Sequence, residues 1–479
     1  MIHISQEQLK TDKIKTVYQN VVAGKVRTAI TKFFAEEPNY RIDKNPVVQD
    51  ASRIVVAFLS KYNLDQMADE SMHMNRIVEY LVGGADQPQR YLECIILNFW
   101  KCAAVVAIDR INTETGTSIA YLDDHEVKAL SKWDAIKNRV LEQKDLSERR
   151  KLILSAINQK TWYLFDNVTA TTVSEWKANA KVISEEEVKS IELKTNLVKA
   201  VYGEKNDGDE KRKDKKNVDS DSGEKSRIKK KTKGALDLLE EIFDYKAMNE
   251  SRVEGTPRHQ ILREIKVPVC PYCNRQYITI YPTKSKSKRK DHPDIEETTA
   301  DLDHFYIKSQ YPYLALSLYN FIPSCQICNS RFKGTTDFYL YPHVYPYKTG
   351  FGDDAKFSTK LDAILSGDKD SSDGVIELQV RSGEEAIKNS ISTFMLERVY
   401  QSHTDYVQEI KRKSEAYNEE MIGDLKKQYG DLLGDKRSIM DFLYGQYLDQ
   451  SQFYLRPLSK LTRDILEECY GDTIDWKNI

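Results

Sequence analysis

Apolar residues recur at helical spacing through most of this chain, and the pattern begins near the first residues. The stretches that show it within residues 1–202 are Val17, Val21 and Val22; Ile54, Val55, Phe58 and Leu59; and Ile95, Ile96, Phe99 and Trp100. Apolar side chains three or four residues apart share one face of a helix. We therefore predict a helical N-terminal domain over residues 1–202. The same spacing returns later and predicts a helical lead-in over residues 235–266.

The C-terminal region, residues 353–479, is also predicted to be mainly helical. Residues 375–380 are the exception, because their composition favours a short strand. Beyond that strand the spacing predicts one long amphipathic helix. Its apolar side carries Ile387, Ile391, Phe394, Met395, Val399, Tyr406, Val407, Ile410 and Tyr417. The fold class expected for the whole chain is mostly α with one small α+β module, which occupies residues 267–352.

Residues 203–234 interrupt the helical pattern with Lys, Asp, Glu, Ser and Gly and almost nothing apolar. Such a segment cannot bury enough surface to offset the entropy of ordering it, so we predict a disordered, charged linker. Its second part, residues 225–233, is strongly basic. A solvated linker is one interpretation. A tether that binds phosphates without sequence preference is the other.

Composition narrows the class of protein without naming a function. The chain has 479 residues, of which 30% are charged and 40% hydrophobic, and its mean hydropathy is -0.60. No signal-peptide pattern is evident, and the most apolar window, residues 91–108, is broken by Glu93, Asn98 and Lys101. We expect a cytoplasmic protein with no membrane partner. The net charge of -2 does not by itself indicate a nucleic-acid binder.

Cysteine spacing is more informative than composition. Four of the seven cysteines form two C-x-x-C pairs, Cys270 with Cys273 and Cys325 with Cys328. In a cytoplasmic chain such pairs indicate a metal more often than a disulfide, and four thiolates can close a tetrahedral zinc site. We predict one structural zinc. The other cysteines lie on apolar helical patterns and are expected to be inert core thiols; they are Cys94, Cys102 and Cys469.

The segment between the two pairs carries the chemistry. Asp303 places a hard oxygen ligand beside His304, whose imidazole can take a proton near neutral pH. Asn320 follows, and Asn329 comes directly after the last cysteine, at the expected start of a helix. Hydrolysis of a phosphodiester needs a divalent cation to neutralise the developing charge and a base to activate water. These residues supply both requirements.

With its four cysteines, this stretch resembles the zinc-binding subset of the HNH (ββα-metal) nucleases. The resemblance implies a ββα module, with His304 as general base and Asp303 and Asn329 as ligands of a catalytic Mg²⁺ or Mn²⁺. It implies that Asn320 braces the loop that holds the base. Lys333 matches the lysine on the following helix. The resemblance also implies that the four cysteines hold the structural zinc of that subset; they are Cys270, Cys273, Cys325 and Cys328.

The amino-acid sequence around these residues is similar to that of HNH proteins of bacterial anti-phage systems, such as Septu-type and retron-associated effectors. Some of these act beside an ATPase, so the resemblance implies a defence-system partner. Ile307 departs from that subgroup, which often has proline there, and the flanking helical regions are larger. DNA rather than RNA is the substrate that the resemblance implies.

Several neighbouring residues have two interpretations each. Asp301 shares a strand face with Asp303, so it is either an additional metal ligand or a solubilising carboxylate. Lys308 and Lys333 either contact phosphate or are ordinary surface lysines, and His343 is expected to be a packed loop residue. A basic loop at residues 284–290 is the strongest phosphate-contact candidate outside the catalytic core. Its basic residues are Lys284, Lys286, Lys288, Arg289 and Lys290.

The function expected from the sequence is therefore a metal-dependent HNH endonuclease. Two alternatives remain open. The first is a zinc-stabilised module that binds nucleic acid without cutting it, in which Asp303, His304 and Asn329 are incidental. The second is a sensor or scaffold whose nuclease stays silent until a partner signals.

Overall fold

The computed structural model describes residues 1–36, 235–250, 255–283, 295–339, 341–360, 375–381 and 385–471, with shorter stretches between residues 55 and 99 and positions 474 and 476. The α-helices there are α1 Asp12–Val17, α2 Ala23–Glu36, α3 Leu64–Met67, α4 Asn75–Val82, α5 Ala235–Ile242, α6 Pro257–Ile265, α7 Glu385–Thr393, α8 Leu396–Tyr400, α9 Thr404–Ala416, α10 Glu419–Leu433, α11 Lys436–Tyr444 and α12 Ser459–Tyr470. The same residues include two π-helices, which are Tyr18–Val22 and Ile327–Lys333. They also include six 3-10 turns, which are Gln6–Leu9, Tyr245–Asn249, Pro312–Leu314, Leu318–Asn320, Gln401–His403 and Gln450–Leu455.

Within the described ranges, the strands form three small antiparallel pairs. They are β1 Ile280–Thr283 with β2 Ile295–Thr298, β3 Ala300–His304 with β4 Phe321–Cys325, and β5 Ala355–Thr359 with β6 Ile376–Val380. The structure thus confirms a mostly helical chain that holds small antiparallel sheets, including the strand expected near residue 376.

The β3–β4 pair leads directly into a helix. Its register places Ala300 opposite Cys325 and His304 opposite Phe321. The π-helix Ile327–Lys333, called the site helix below, begins two residues after β4 ends. Gly334 closes it at a φ of +51°, a backbone conformation that residues with a Cβ rarely adopt. The local order is therefore two antiparallel strands followed by a helix.

One long helix was predicted where the structure has three. Helices α7, α8 and α9 are separated by Met395, which has a φ of +48°, and by a 3-10 turn. The break lets Phe394 and Leu396 both be wholly buried, while Met395 points to solvent with 46% of its surface exposed. Periodicity alone could not reveal this turn, because Met395 fits an apolar stripe.

Buried apolar side chains form one continuous cluster from Met1 to Ile474 among the described residues. The N-terminal helices contribute to it and also contact the loop between β3 and β4. The Tyr18 hydroxyl donates a hydrogen bond to the carbonyl of Leu316, and the Tyr80 hydroxyl donates to the carbonyl of Tyr313, both at 3.0 Å. The loop beside His304 is therefore packed against the N-terminal region.

Some expectations fall on other parts of the chain. The linker at residues 203–234, the basic loop at residues 284–290, and Cys94 and Cys102 lie outside the described residues.

Cys469 was predicted to be a core thiol, and this is wrong: it lies on the solvent side of α12 and is exposed. In the part of the chain that is described, no helix has the length and apolarity needed to cross a membrane.

Candidate metal and catalytic site

The four cysteines of the two C-x-x-C pairs lie together in the core. Cys270 and Cys273 occupy the turn that follows Val269, Cys325 ends β4, and Cys328 lies in the site helix. All four are buried, and their Sγ atoms lie within 4.8 Å of one another. A tetrahedral zinc with Zn–S bonds of about 2.3 Å separates its sulfurs by about 3.8 Å, so the cluster is close to the required geometry.

The surroundings of the cluster suit thiolates. The backbone N–H of Arg275 points at the Sγ of Cys273 at 3.4 Å, and the N–H of Cys328 at the Sγ of Cys325 at 3.5 Å. Hydrogen bonds from the other three thiols lower the pKa of Cys325, whereas burial raises the pKa of Cys270. Zinc binds the deprotonated form, and backbone N–H groups stabilise that form. This group could bind zinc.

A pocket of about 320 Å³ opens beside the cluster, and the candidate catalytic residues line it. Its walls come from three parts of the chain: β3 with the residues after it, the site helix, and the segments before residue 266. The lining residues are Tyr245, Arg258, Asp301, Leu302, Asp303, His304, Ile307, Lys308, Asn329, Lys333 and Gly334. His304, Asp303 and Asn329 therefore line the same pocket.

His304 is held with one ring nitrogen available. Its Nε2 lies 3.0 Å from the carbonyl oxygen of Ala315. A carbonyl can only accept, so Nε2 carries the proton in this contact and the neutral ring keeps Nδ1 as an acceptor. Tyr245 and Phe321 pack edge-on to the ring at 4.8 and 5.1 Å between centroids. Burial lowers the pKa of His304 to about 4, so the ring is neutral at pH 7.

Asn320 closes the loop that carries Ala315. Its side chain is wholly buried, and its Oδ1 accepts a hydrogen bond from the backbone N–H of Tyr306 at 2.8 Å. Its Nδ2 donates to the carbonyl oxygens of Tyr306 at 3.0 Å and Leu314 at 3.1 Å. Asn320 lies outside the pocket lining, and its three contacts are those of a loop brace.

Asp303 is buried and its oxygens are occupied by protein donors. The Lys333 ammonium donates to its two oxygens at 2.8 and 2.7 Å, and the Tyr272 hydroxyl donates to Oδ2 at 2.6 Å. Lys333 also donates to the backbone carbonyl of His304. Lys333 was expected either to contact phosphate or to be an ordinary surface lysine, and the structure corrects both interpretations: it is 2% exposed and already has three acceptors. Burial lowers its pKa, and the charge of Asp303 opposes that effect.

Asn329 meets the other carboxylate of β3. Its Nδ2 donates to Asp301 Oδ2 at 3.0 Å, whereas the sequence placed its side chain beside Asp303. Arg258 reaches Asp301 from the first turn of α6, with 3.2 Å between its terminal nitrogen and Oδ1, and it also donates to the carbonyl of Ala300 at 2.5 Å. Asp301 keeps 29% of its side chain exposed, so it is the more accessible of the two carboxylates.

Three contributors to the site escaped the sequence analysis. Arg258 and Tyr245 precede the cysteine motifs and belong to no pattern that points to a pocket. Tyr272 lies inside the first C-x-x-C pair, where its position could have suggested a role. Lys308, a predicted phosphate contact, lines the pocket with its ammonium 4.9 Å from the centre of the Tyr245 ring. His343 is a packed loop residue, as predicted, and it stacks on Phe338 at 3.7 Å.

Comparison with known proteins yields no relative: no protein-family model, no curated protein and no solved structure matches this chain.

Proposed function

We propose that this protein is a metal-dependent endonuclease of the HNH type, which hydrolyses phosphodiester bonds, with DNA as the expected substrate. One observation carries the proposal. A neutral histidine with a free Nδ1 shares one pocket with a carboxylate–amide pair, and the pocket adjoins four cysteines that could bind zinc. A base and a hard-ligand pair, side by side and open to solvent, are what metal-assisted hydrolysis requires.

The divalent ligands proposed are Asp301 and Asn329. Their side chains already touch, and a half-turn of the Asn329 amide brings its oxygen to the place of its nitrogen. Amide and carboxylate oxygens are ligands that Mg²⁺ accepts. Asp303, which the family resemblance assigns as a ligand, accepts three hydrogen bonds and faces a buried ammonium. A dication at Asp303 would have to displace that ammonium.

Each remaining group has a role in the proposed reaction. His304 accepts the proton of the attacking water at Nδ1, while the Ala315 carbonyl fixes the tautomer and orientation of the ring. Arg258 and Lys308 provide positive charge at the pocket wall for the phosphate. A bound Mg²⁺ or Mn²⁺ would stabilise the negative charge that develops on the phosphate oxygens.

The first experiment asks whether the pocket cuts DNA. Purified protein is incubated with supercoiled plasmid and Mg²⁺, and nicked and linear products are measured for wild type, His304→Ala and His403→Ala. His403 lies outside the pocket lining and accepts a hydrogen bond from Arg275. We expect His304→Ala to lose about 10²- to 10⁴-fold in rate with an unchanged circular dichroism spectrum. His403→Ala should cut normally. Cutting by His304→Ala at the wild-type rate would refute the assignment.

The second experiment locates the metal. Cutting rate is titrated against Mg²⁺ for Asp301→Asn, Asn329→Ala and the control Glu297→Gln, whose side chain contacts Tyr281 on the β1–β2 pair. We expect the first two variants to need much more Mg²⁺, and Asn329→His to shift its preference towards Mn²⁺, Co²⁺ or Ni²⁺, because imidazole suits those ions. If Asp301→Asn and Asn329→Ala keep the wild-type Mg²⁺ dependence, the metal lies elsewhere and Asp303 becomes its candidate ligand.

A second candidate function is a nuclease that stays silent without a partner. It is favoured by the contacts of Tyr18 and Tyr80 with the loop that carries Ala315, because movement of the N-terminal helices would then reach His304. Its setting would be a cytoplasmic anti-phage system with an ATPase or similar subunit, an assignment that rests on the family resemblance alone. Cutting only after a co-expressed neighbour is added would support it. A protein that shifts DNA mobility and never cuts would instead indicate a binding module.

A further inference from the structure

Asp303 accepts hydrogen bonds from two side chains, one on each segment that carries a C-x-x-C pair. Tyr272 lies inside the first C-x-x-C pair, and its hydroxyl donates to Asp303 Oδ2 at 2.6 Å. Lys333 ends the site helix, which contains the last cysteine of the second pair, and its ammonium donates to both Asp303 oxygens. One carboxylate on β3 therefore joins the two cysteine pairs.

The three groups lie in the core, where they have little freedom to rearrange. Tyr272 is 0% exposed, Lys333 2% and Asp303 4%. The Tyr272 ring stacks on Phe394 at 4.5 Å between centroids, and the Lys333 ammonium lies 4.6 Å from the centre of the Phe338 ring. A buried charge without its partner is costly, so the carboxylate and the ammonium hold each other in one arrangement.

The same arrangement reaches the candidate base. Lys333 also donates to the backbone carbonyl of His304, the residue that follows Asp303 at the end of β3. We propose that Tyr272 and Lys333 are positioning residues, which fix His304 through Asp303 and so make its alignment depend on the metal that the cysteines bind. This inference rests on the proposed nuclease function. It assigns zinc an effect on the rate of cutting in addition to its effect on folding.

The first test removes one hydroxyl. Tyr272→Phe keeps the ring that stacks on Phe394 and loses only its bond to Asp303. Tyr400→Phe is the matched control, since Tyr400 is equally buried and its hydroxyl donates to the carbonyl of Cys273 at 2.7 Å. Both variants lose one hydrogen bond next to the cluster, but only the Tyr272 hydroxyl contacts β3, the strand that carries Asp303 and His304. Zinc content, melting temperature, kcat and KM for DNA are measured for each.

We expect both variants to retain one zinc per chain and to melt a few degrees lower than wild type. Tyr272→Phe should lower kcat by about ten-fold or more with KM unchanged, because a small misplacement of a base is costly in rate. Tyr400→Phe should keep the wild-type kcat. Equal values of kcat in the two variants would overturn the proposal, because Tyr272 would then have only a structural role.

The second test needs no cleavage assay. In Asp303→Leu/Lys333→Met both charges are gone, and replacement of a buried ion pair by apolar residues is often neutral. The Tyr272 hydroxyl then has no acceptor at position 303, so adding Tyr272→Phe should leave the melting temperature unchanged or raise it. In the wild-type background the same change should lower it. Equal decreases in the two backgrounds would refute the contact between Tyr272 and Asp303.

If Asp303→Leu/Lys333→Met does not fold, Asp303→Asn/Lys333→Met replaces it as the background. Adding Tyr272→Phe to that background should lower the melting temperature by at most about half of the decrease that it causes in wild type, because the acceptor at position 303 is no longer charged. These melting experiments also separate the two proposals. A wild-type protein that never cuts DNA would refute the nuclease, while the melting temperatures would still decide the coupling of Tyr272 to Asp303.

Discussion

Replacing Asn320 with alanine would remove the side chain that closes the loop between β3 and β4. Its amide makes three hydrogen bonds with the backbone groups of Tyr306 and Leu314, and it is wholly buried. Alanine would leave one N–H and two carbonyl oxygens without these partners. Because Ala315 follows Leu314, the acceptor for His304 Nε2 lies in the same disrupted loop.

The expected cost follows from those three bonds. A typical hydrogen bond contributes about 0.5–1.5 kcal/mol net, and a buried group left unsatisfied costs about 1–3 kcal/mol. A water molecule that enters the space left by the amide can satisfy part of that loss. We therefore expect Asn320→Ala to lower the free energy of unfolding by about 3–5 kcal/mol.

The assay is chemical denaturation of wild type, Asn320→Ala and Asn389→Ala, followed by circular dichroism. Asn389 is the matched control, because it is only partly buried and donates one hydrogen bond, to the carbonyl of Pro342 at 3.0 Å. Its replacement should cost about 1 kcal/mol. If Asn320→Ala is no less stable than Asn389→Ala, Asn320 does not brace the loop and our account of how His304 is held is wrong.

Three further predictions concern zinc, phosphate and the basic loop. Cys325→Ser should lower zinc content from one per chain to almost none and unfold the module, because zinc binding contributes roughly 10–16 kcal/mol in small zinc domains; a folded wild type that elemental analysis finds free of zinc would contradict this. Arg258→Ala should raise KM for DNA more than Arg263→Ala, which lies on the same helix and loses only a surface ion pair with Glu296 of β2; equal KM values would remove Arg258 from the substrate contacts. Neutralising the basic residues of 284–290 should flatten the plot of log affinity against log salt by about 0.9 for each phosphate that the loop no longer neutralises; an unchanged slope would place the loop away from DNA.

The sequence was sufficient for features that depend on short-range spacing. Two C-x-x-C pairs predicted a four-cysteine cluster, because the two-residue spacing brings each pair of thiols onto one turn. Asp301 and Asp303 were expected to share one face of a strand, and both lie on β3. The helices around Val21 and Leu239 were predicted from apolar spacing, because apolar residues three or four positions apart define the face of a helix that is buried.

The partners of each polar side chain were decided by the tertiary structure. Asp301 and Asp303 alternate with a core residue on one strand; the sequence analysis assigned Asp303 as a metal ligand and left Asp301 as either an additional ligand or a solubilising carboxylate. The packing of the site helix against β3 gives Asn329 to Asp301 and Lys333 to Asp303. No pattern within the segment encodes the distances between the site helix and β3 that decide these pairs.

The same reason explains the contributions from distant parts of the chain. Arg258 reaches Asp301 across 43 positions of sequence, and Tyr18 reaches the loop beside Ala315 across 298. Phe394, which precedes the turn at Met395, stacks on Tyr272, a residue more than 100 positions earlier in the chain. Periodicity and spacing describe which face of an element is buried, whereas the atom that meets a given side chain depends on how every element of the core packs at once. The sequence by itself therefore determined the kinds of residues in this site, and only the packing of the whole core determined which of them touch.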